Sequence, residues 1–377
     1  MSLFEHHRAR FEGAQAACRE RFCWSPFPEL PNKYPDAATA QAKGLAAFRA
    51  HLGGGAASPF VLDQPGTVGL LGEEVSPYTQ APLGIQYPQA DVDRLFDAAG
   101  YAIPAWSAAS IETRIGVLME VVDTIYREHL FEIAQSVMHT AGQSFNMAYA
   151  GSGVNALDRA IEALVYAEQA MRSVAPSARW ERQFGPSAIA LEKTYRLIPR
   201  GVAVCFSCAS FPTWNAWPSM MASLATGNAV IVKPHPATVL PMAITVRVFR
   251  QVLAAAGFDP NLVTLALDSS TEPIGKLLVK HPRTAIVDFT GSVRFGSGWS
   301  RTRIRRCVLP RPPAATRWCS IRSTTLTPCC AAWPPPCACS VRRCAPARRI
   351  SMYPQPVCAR RRAWSRWQKW PNGWPRR

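Results

Sequence analysis

Lys233 is the first residue placed to do chemistry. It ends an apolar run at 229–232, which follows a helix-length segment at 213–226, a Gly227-Asn228 break and an earlier apolar run at 201–206. Strand, loop, helix and strand over 200–241 make a βαβ unit. Open parallel sheets bind ligands at the carboxyl ends of their strands, so a lysine there is set to meet a nucleotide. Gly291-Ser292 closes a second strand pattern at 284–289, and a Gly-Ser turn in that place offers backbone N–H groups and a hydroxyl to a phosphate. Cys205 and Cys208 form a C-x-x-C pair, for which two small residues at a strand end and loop are a better account than a redox couple. Cys329-Cys330, Cys337, Cys339 and Cys344 lack zinc-ligand spacing and no histidine accompanies them, so no metal is expected.

The elements that must hold these residues follow from hydrophobic period. Residues 1 to about 55 carry two polar helices divided by a Pro-rich stretch at 25–31, with Phe4, Phe11, Ala14 and Cys18 on one face of the first. Gly and Pro dominate 53–88, which predicts an extended arm or loop, and regular structure is expected to resume after Trp106. Ile111, Ile115, Leu118, Val122 and Ile125 predict an amphipathic helix over 111–126, and 131–140 and 155–171 repeat the pattern. A strand is expected at 191–200, with Leu191, Tyr195 and Leu197 on one face, leading into the central unit. Beyond Lys233, the pattern predicts a helix at 240–256, a strand at 262–266, a short helix at 274–279 and the strand at 284–289. Alternating strands and helices predict an α/β, Rossmann-like, doubly wound parallel sheet.

The chain has 377 residues, with 42 Lys plus Arg against 25 Asp plus Glu, a net charge of +17. Such a balance invites a nucleic acid or a membrane surface as partner. Its distribution argues otherwise, because residues from Ser297 onward hold 17 Arg, one Lys and no Asp or Glu, leaving 1–296 at −1. Three segments are therefore expected: a helical and extended N-terminal arm at 1–105, a nucleotide-binding domain at 106–296, and an Arg-, Pro-, Cys- and Trp-rich tail at 297–377 that stays disordered. Residues 201–232 carry no charge and are long enough to span a bilayer. Pro212, Asn215, Pro218 and Gly227-Asn228 interrupt them, and no apolar run follows the charges at the N-terminus. A cytoplasmic protein without a membrane partner is the expectation.

Ser210-Phe211-Pro212, Gly227-Asn228, Lys233-Pro234 and Phe289-Thr290-Gly291-Ser292, in that order, resemble the aldehyde dehydrogenase superfamily over about 106–296. Phe211-Pro212-Thr213-Trp214-Asn215, Lys233-Pro234-His235-Pro236-Ala237 and the long N-terminal extension look like its phenylacetate-degradation (PaaN-like) branch. The resemblance implies NAD or NADP as cofactor, a small-molecule aldehyde, free or CoA-linked, as substrate, and a homo-oligomer in the intact family. By the same resemblance Lys233 binds the adenosine ribose, Gly291 and Ser292 hold the pyrophosphate, and Phe206 and Ser207 line the nucleotide groove. Ser210 stands where the family places its oxyanion-binding asparagine, and Asn215 could substitute only if the start of its helix is remodelled; a serine is the weaker donor. Pro236 stands where many members bind the ribose hydroxyls with Glu, so NADP is less disfavoured.

The family's thiolate nucleophile and carboxylate base both follow the Phe-Thr-Gly-Ser turn, where this chain has no acid, and neither Cys307 nor Cys344 has a matching neighbourhood. A shifted reading frame from Gly296 or Ser297 accounts for this. Joining the third base of each codon to the next two permits Trp-Leu-Glu across 297–300, Thr-Glu across 309–311 and Met-Cys-Thr across 343–346, in family order. The chain as translated is then expected to be inactive and to assemble poorly. Two other functions compete: a tail that grips nucleic acid through 360–364 and 367–370, and a non-catalytic nucleotide-binding subunit.

Overall fold

The computed structural model describes residues 2–53 and 57–291, together with the backbone of Cys307–Arg311. Helix α1 (Leu3–Glu20) is capped by the Ser2 hydroxyl, which accepts from the Glu5 N–H, and α2 is Ala37–His51. Next come β1 (Ser58–Pro59), β2 (Thr67–Leu71) and β3 (Ile85–Ala90), a three-stranded sheet of order β1-β3-β2. The 53–88 segment is therefore largely loop, as expected, but it carries three strands and is packed into the core through Phe60, Leu62, Leu83, Ile85 and Tyr87. Its strands are short, with Gly69 inside β2 and Pro88 inside β3, which hides their period, and β3 is held by pairing with residues of β1 and β2 that are distant along the chain.

Regular structure also resumes earlier than expected, with α3 (Val92–Ala108), whose cap Asp91 accepts from the Arg94 N–H at 3.0 Å. Helices α4 (Ile111–Thr124), α5 (Leu130–Ala141), α6 (Phe145–Tyr149) and α7 (Asn155–Met171) follow; α4, α5 and α7 are the expected amphipathic series, and the short α6 is additional. The expected strand at 191–200 is present only over 191–194, as the end of a strand that does not lead into the central sheet. Instead β4 (Ser177–Phe184) and β5 (Ser187–Thr194) form an antiparallel hairpin with every residue exposed, in which Leu191 faces Trp180, and no strand covers 195–200. The alternating apolar residues are real, but they belong to a two-stranded ribbon outside the central sheet.

The central sheet contains β6 (Val202–Phe206), β7 (Ala229–Lys233), β8 (Val263–Leu265), β9 (Thr284–Thr290) and β10 (Cys307–Arg311), all parallel, in the order β10-β9-β6-β7-β8. Helices α8 (Pro212–Ala225), α9 (Leu240–Ala255) and α10 (Gly275–Lys280) make the crossovers. Successive residues of a strand point to opposite faces. All five residues of β6 are buried, so both faces of the sheet are covered, as a doubly wound sheet requires.

One contiguous core runs from Phe11 of α1 to Phe289 of β9, with Trp106, Trp217, Tyr87 and Tyr149 among its largest fully buried side chains. Trp106 Nε1 donates to the Leu224 carbonyl and Arg114 Nε to the Ala225 carbonyl, each at 2.8 Å. Both carbonyls lie in the last turn of α8, where the regular helical bonds run out; that of Leu224 also accepts from the Gly227 N–H at 2.9 Å. Gly227 then adopts φ of 87°, and Asn228 bridges the turn, accepting from the Gly201 N–H at 3.0 Å and donating to the Ser223 carbonyl at 3.1 Å. The Gly-Asn pair thus locks the start of β7 to the start of β6.

Candidate dinucleotide site

The connections β6-α8-β7-α9-β8 progress in one direction, whereas β9 returns to the other side of β6. That reversal opens a crevice at the carboxyl ends of β6 and β9, the usual ligand position in such sheets. In register, Phe206 lies opposite Lys233 on one side and Phe289 on the other. Its ring meets Phe289 edge to face, with centroids 5.6 Å apart. The Phe206–Lys233–Phe289 row therefore forms the floor of the crevice.

Lys233 reaches from the last position of β7 to Asp268, Nζ lying 2.6 Å from Oδ1, with the ammonium side chain 11% exposed and the carboxylate 1%. Oδ1 receives no directed hydrogen bond, so the ammonium meets its charge as an ion pair, while Oδ2 accepts from the Ile274 N–H at 3.1 Å. The following loop is fastened by Glu74. Its carboxylate accepts from the Val239 and Leu240 N–H groups at 2.6 and 3.0 Å, at the start of α9, and from the Tyr87 hydroxyl. Burial pushes the Glu74 carboxyl up to about 7 against these donors. Pro236 is partly exposed between exposed His235 and Ala237. The His235 imidazole is held below its usual range, first by desolvation and then by the Lys233 charge, with Asp268 and Glu73 opposing.

Ser207 is buried, and its hydroxyl donates to the Pro212 carbonyl at 3.0 Å while its N–H donates to the Lys233 carbonyl, also at 3.0 Å. It therefore braces the loop between β6 and α8. Ser210 is exposed at the loop tip, with its carbonyl accepting from Gln143 Nε2 at 2.5 Å. Asn215 lies in the first turn of α8, and its Nδ2 donates to Cys208 Sγ at 3.3 Å and to the Phe211 carbonyl at 3.4 Å. The Ser210 hydroxyl lies 3.8 Å from the same sulfur, so the fold gathers Ser210, Asn215 and Cys208 at one end of the crevice. The partners of Cys208 are an amide, a hydroxyl and a carbonyl, none of them a base.

Gly291 follows β9, and a Cβ there would come within 2.5 Å of the Phe289 ring, so any side chain at this position would have to displace that ring. The neighbouring Thr290 hydroxyl is buried and has no hydrogen-bond partner among the described residues. Ser292 and the tail from Ser297, apart from the backbone of Cys307–Arg311, lie outside the described residues. A lysine ammonium, an unpartnered hydroxyl and a side-chain-free backbone at one strand edge are a donor set that fits a dinucleotide.

Glu73, Glu74 and Asp268 were not singled out from the sequence. The only signal was an adjacent pair of acids in a Gly- and Pro-rich stretch without a basic neighbour. Away from the crevice, His6, His7 and Glu120 lie within metal-ligand reach of one another. His7 Nε2 is engaged with Glu120 at 2.6 Å and Arg127 lies 3.6 Å from the other carboxylate oxygen, so the group joins α1 to α4 as a polar contact.

Comparison with known proteins agrees with this geometry. A crystal structure of an NAD-dependent aldehyde dehydrogenase from Burkholderia multivorans is 42% identical, with a TM-score of 0.78 over 83% of this chain and 55% of that one. A Thermus 1-pyrroline-5-carboxylate dehydrogenase with bound NAD, 21% identical, shares the fold at a TM-score of 0.54, covering 74% of this chain and 52% of that one. Aldehyde dehydrogenase LUC3 from Fusarium sp. is 30% identical over 225 residues, 59% of this chain and 43% of that protein. The chain thus spans about half the length of these relatives. The model of the aldehyde dehydrogenase family matches residues 72–307, and the chain belongs to that family.

Proposed function

We propose that residues up to Gly291 form the dinucleotide-binding half of an NAD- or NADP-dependent aldehyde-oxidising enzyme of the phenylacetate-degradation branch, and that the chain as translated does not turn over. The observation that carries the first part is Lys233, presented at the carboxyl edge of β7 beside the β6–β9 switch point and held there by Asp268. A bound nicotinamide dinucleotide supplies a hydride acceptor. Lys233 would donate to the adenosine ribose, Gly291 would let backbone approach the pyrophosphate, and Phe206 would wall the groove. Ser210 is the exposed donor for a developing oxyanion. Asn215 stands one turn behind it with its amide directed at Cys208 and Phe211, so it serves by shaping the loop.

Loss of turnover is supported by residue content. Aldehyde oxidation through a thiolate needs a base, and no Asp or Glu follows Ser297. The family match ends at residue 307, shortly after the change in composition near Gly296. A shifted frame gives both facts one cause. The branch assignment rests on the Phe211–Asn215 and Lys233–Ala237 texture, and the substrate class with it.

Titrating the full chain with NAD and with NADP, followed by tryptophan fluorescence and melting temperature, tests the binding half. A saturable shift with at least one of them is expected, and no response to either refutes it. Resequencing the DNA across codons 294 to 300 tests the rest; a reproducible in-frame read there would remove the frameshift account.

A further inference from the structure

The loop that carries Ser210 is braced at its two ends by different parts of the chain. At its base the Ser207 hydroxyl and N–H donate to the Pro212 and Lys233 carbonyls. At its tip the Ser210 carbonyl accepts from Gln143 Nε2 at 2.5 Å, a bond between residues 67 positions apart. We propose that Gln143 is a positioning residue: its amide N–H fixes the exposed loop tip and so sets where the Ser210 hydroxyl meets a developing oxyanion before any ligand arrives. The inference rests on the reading of Ser210 given above and extends it to a residue outside the ordered motifs.

Gln143 is itself held from two sides. Gly142 ends α5 with φ of 76°, which turns the chain toward the loop, and the Gln143 carbonyl accepts from the Tyr78 hydroxyl at 2.7 Å. Gln143 Oε1 accepts from the Ser152 hydroxyl at 3.0 Å. The Ser210 carbonyl can only accept, so the amide nitrogen must face it, and the Ser152 hydroxyl, which can donate, takes the oxygen. Ser152 is fully buried in a π-helical turn, Ala150–Val154, between α6 and α7. Single π-helical turns recur at functional sites. Here the turn also lends the Ser152 carbonyl to the Thr213 hydroxyl at the start of α8, so one residue orients Gln143 and steadies the helix behind the loop.

The Ser210 hydroxyl takes no part in this bracing. Its partner among the described residues is Cys208 Sγ at 3.8 Å, a long contact that an oxyanion would outcompete. A donor held through its backbone, with its hydroxyl only lightly engaged, needs little reorganisation when charge develops.

The test uses the full chain and reads the loop through Cys208, which is partly exposed beside Ser210. Alkylation by iodoacetamide is followed residue by residue with peptide mass spectrometry in wild type, Gln143→Glu and Gln143→Lys, with Cys205, buried in β6, as the internal control. Gln143→Glu keeps the acceptor for Ser152 and removes only the donor, whereas Gln143→Lys returns an N–H donor. Gln143→Glu is expected to raise the Cys208 rate about fivefold, the factor that one net hydrogen bond sets, with the Cys205 rate unchanged, and Gln143→Lys to stay within about twofold of wild type. An unchanged Cys208 rate in Gln143→Glu overturns the proposal. So does a common rise at Cys205 and Cys208, which marks general loosening, and so does equal acceleration in both variants, which makes side-chain shape and not the donor responsible. Titration of wild type with NAD and NADP is a separate arm: a chain that binds neither removes the dinucleotide reading, while the Cys208 rates still decide whether Gln143 holds the loop.

Discussion

Replacing Lys233 by Met should destabilise the protein far more than an ordinary edge lysine would. The Asp268 side chain is 1% exposed and that of Lys233 11%. Removing one partner of a buried pair leaves the other charge unmet, which costs about 3–5 kcal/mol. The two halves of the pair are not equivalent. Lys233 sits on a flexible stem at the mouth of the crevice and can swing its ammonium into water, whereas Asp268 is enclosed and anchored by the Ile274 N–H. Lys233→Met is therefore expected at the upper end of the range, and Asp268→Asn, which keeps an acceptor for that N–H, at about 1–2 kcal/mol. At about 2–4 °C per kcal/mol for a domain of this size, Lys233→Met lowers the melting temperature by about 10 °C or more. The double variant removes both charges and should melt above Lys233→Met alone. Calorimetric melts of the four proteins in one buffer decide the matter. A Lys233→Met melt within about 2 °C of wild type, or one milder than Asp268→Asn, would refute the claim that the buried acid needs this lysine.

Other outcomes follow from the same structure. Glu132 is buried where α5 meets α2 and α9; burial opposes its ionisation, but His129 and His51, each at 2.7 Å, and Arg247 at 3.3 Å outweigh it and pull its carboxyl down to about 2. Because the folded value lies below the unfolded one, its contribution of about 3 kcal/mol is present above pH ~4.5 and is lost as pH falls toward ~2. Urea denaturation between pH 6 and pH 2 should therefore show a steeper loss for wild type than for Glu132→Gln, and parallel profiles would exclude this role. Gly44→Ala should cost about 1–3 kcal/mol, because its Cβ would lie 2.3 Å from the Phe131 Cβ and 2.7 Å from the Phe131 carbonyl carbon. A neutral melt would show that α2 can move away from α5 freely. Trp106→Phe, which removes the indole N–H from the Leu224 carbonyl but leaves it the Gly227 N–H at 2.9 Å, should cost about 0.5–1.5 kcal/mol, measurable by chemical denaturation; no change would mean that the Gly227 N–H alone satisfies the carbonyl.

Residue order alone determined a good deal of this protein. The period of the apolar residues located α4, α5, α7, α8 and α9 and the strands β6, β7 and β9, because those elements bury one face or both and their spacing records it locally. The ordered motifs at Ser210, Gly227-Asn228, Lys233 and Gly291 pointed to the family, since strand ends and turns constrain residue type within a few positions. Residues 53–88 and 177–200 were legible only in part, for a common reason. Their strands are held by hydrogen bonds to distant or exposed partners, and such pairing leaves little trace in hydrophobic period.

Only the tertiary structure decided that β9 returns beside β6 and not beside β8, which is what places Phe206 between Lys233 and Phe289 and opens the crevice between them. It alone brought Asp268 to Lys233, Glu73 to Ser270 and Glu74 to the start of α9. A motif could show that Lys233 stands at a strand end. It could not show which charge the lysine faces, because electrostatic partners are chosen by distance in space, and folding sets that distance independently of separation along the chain.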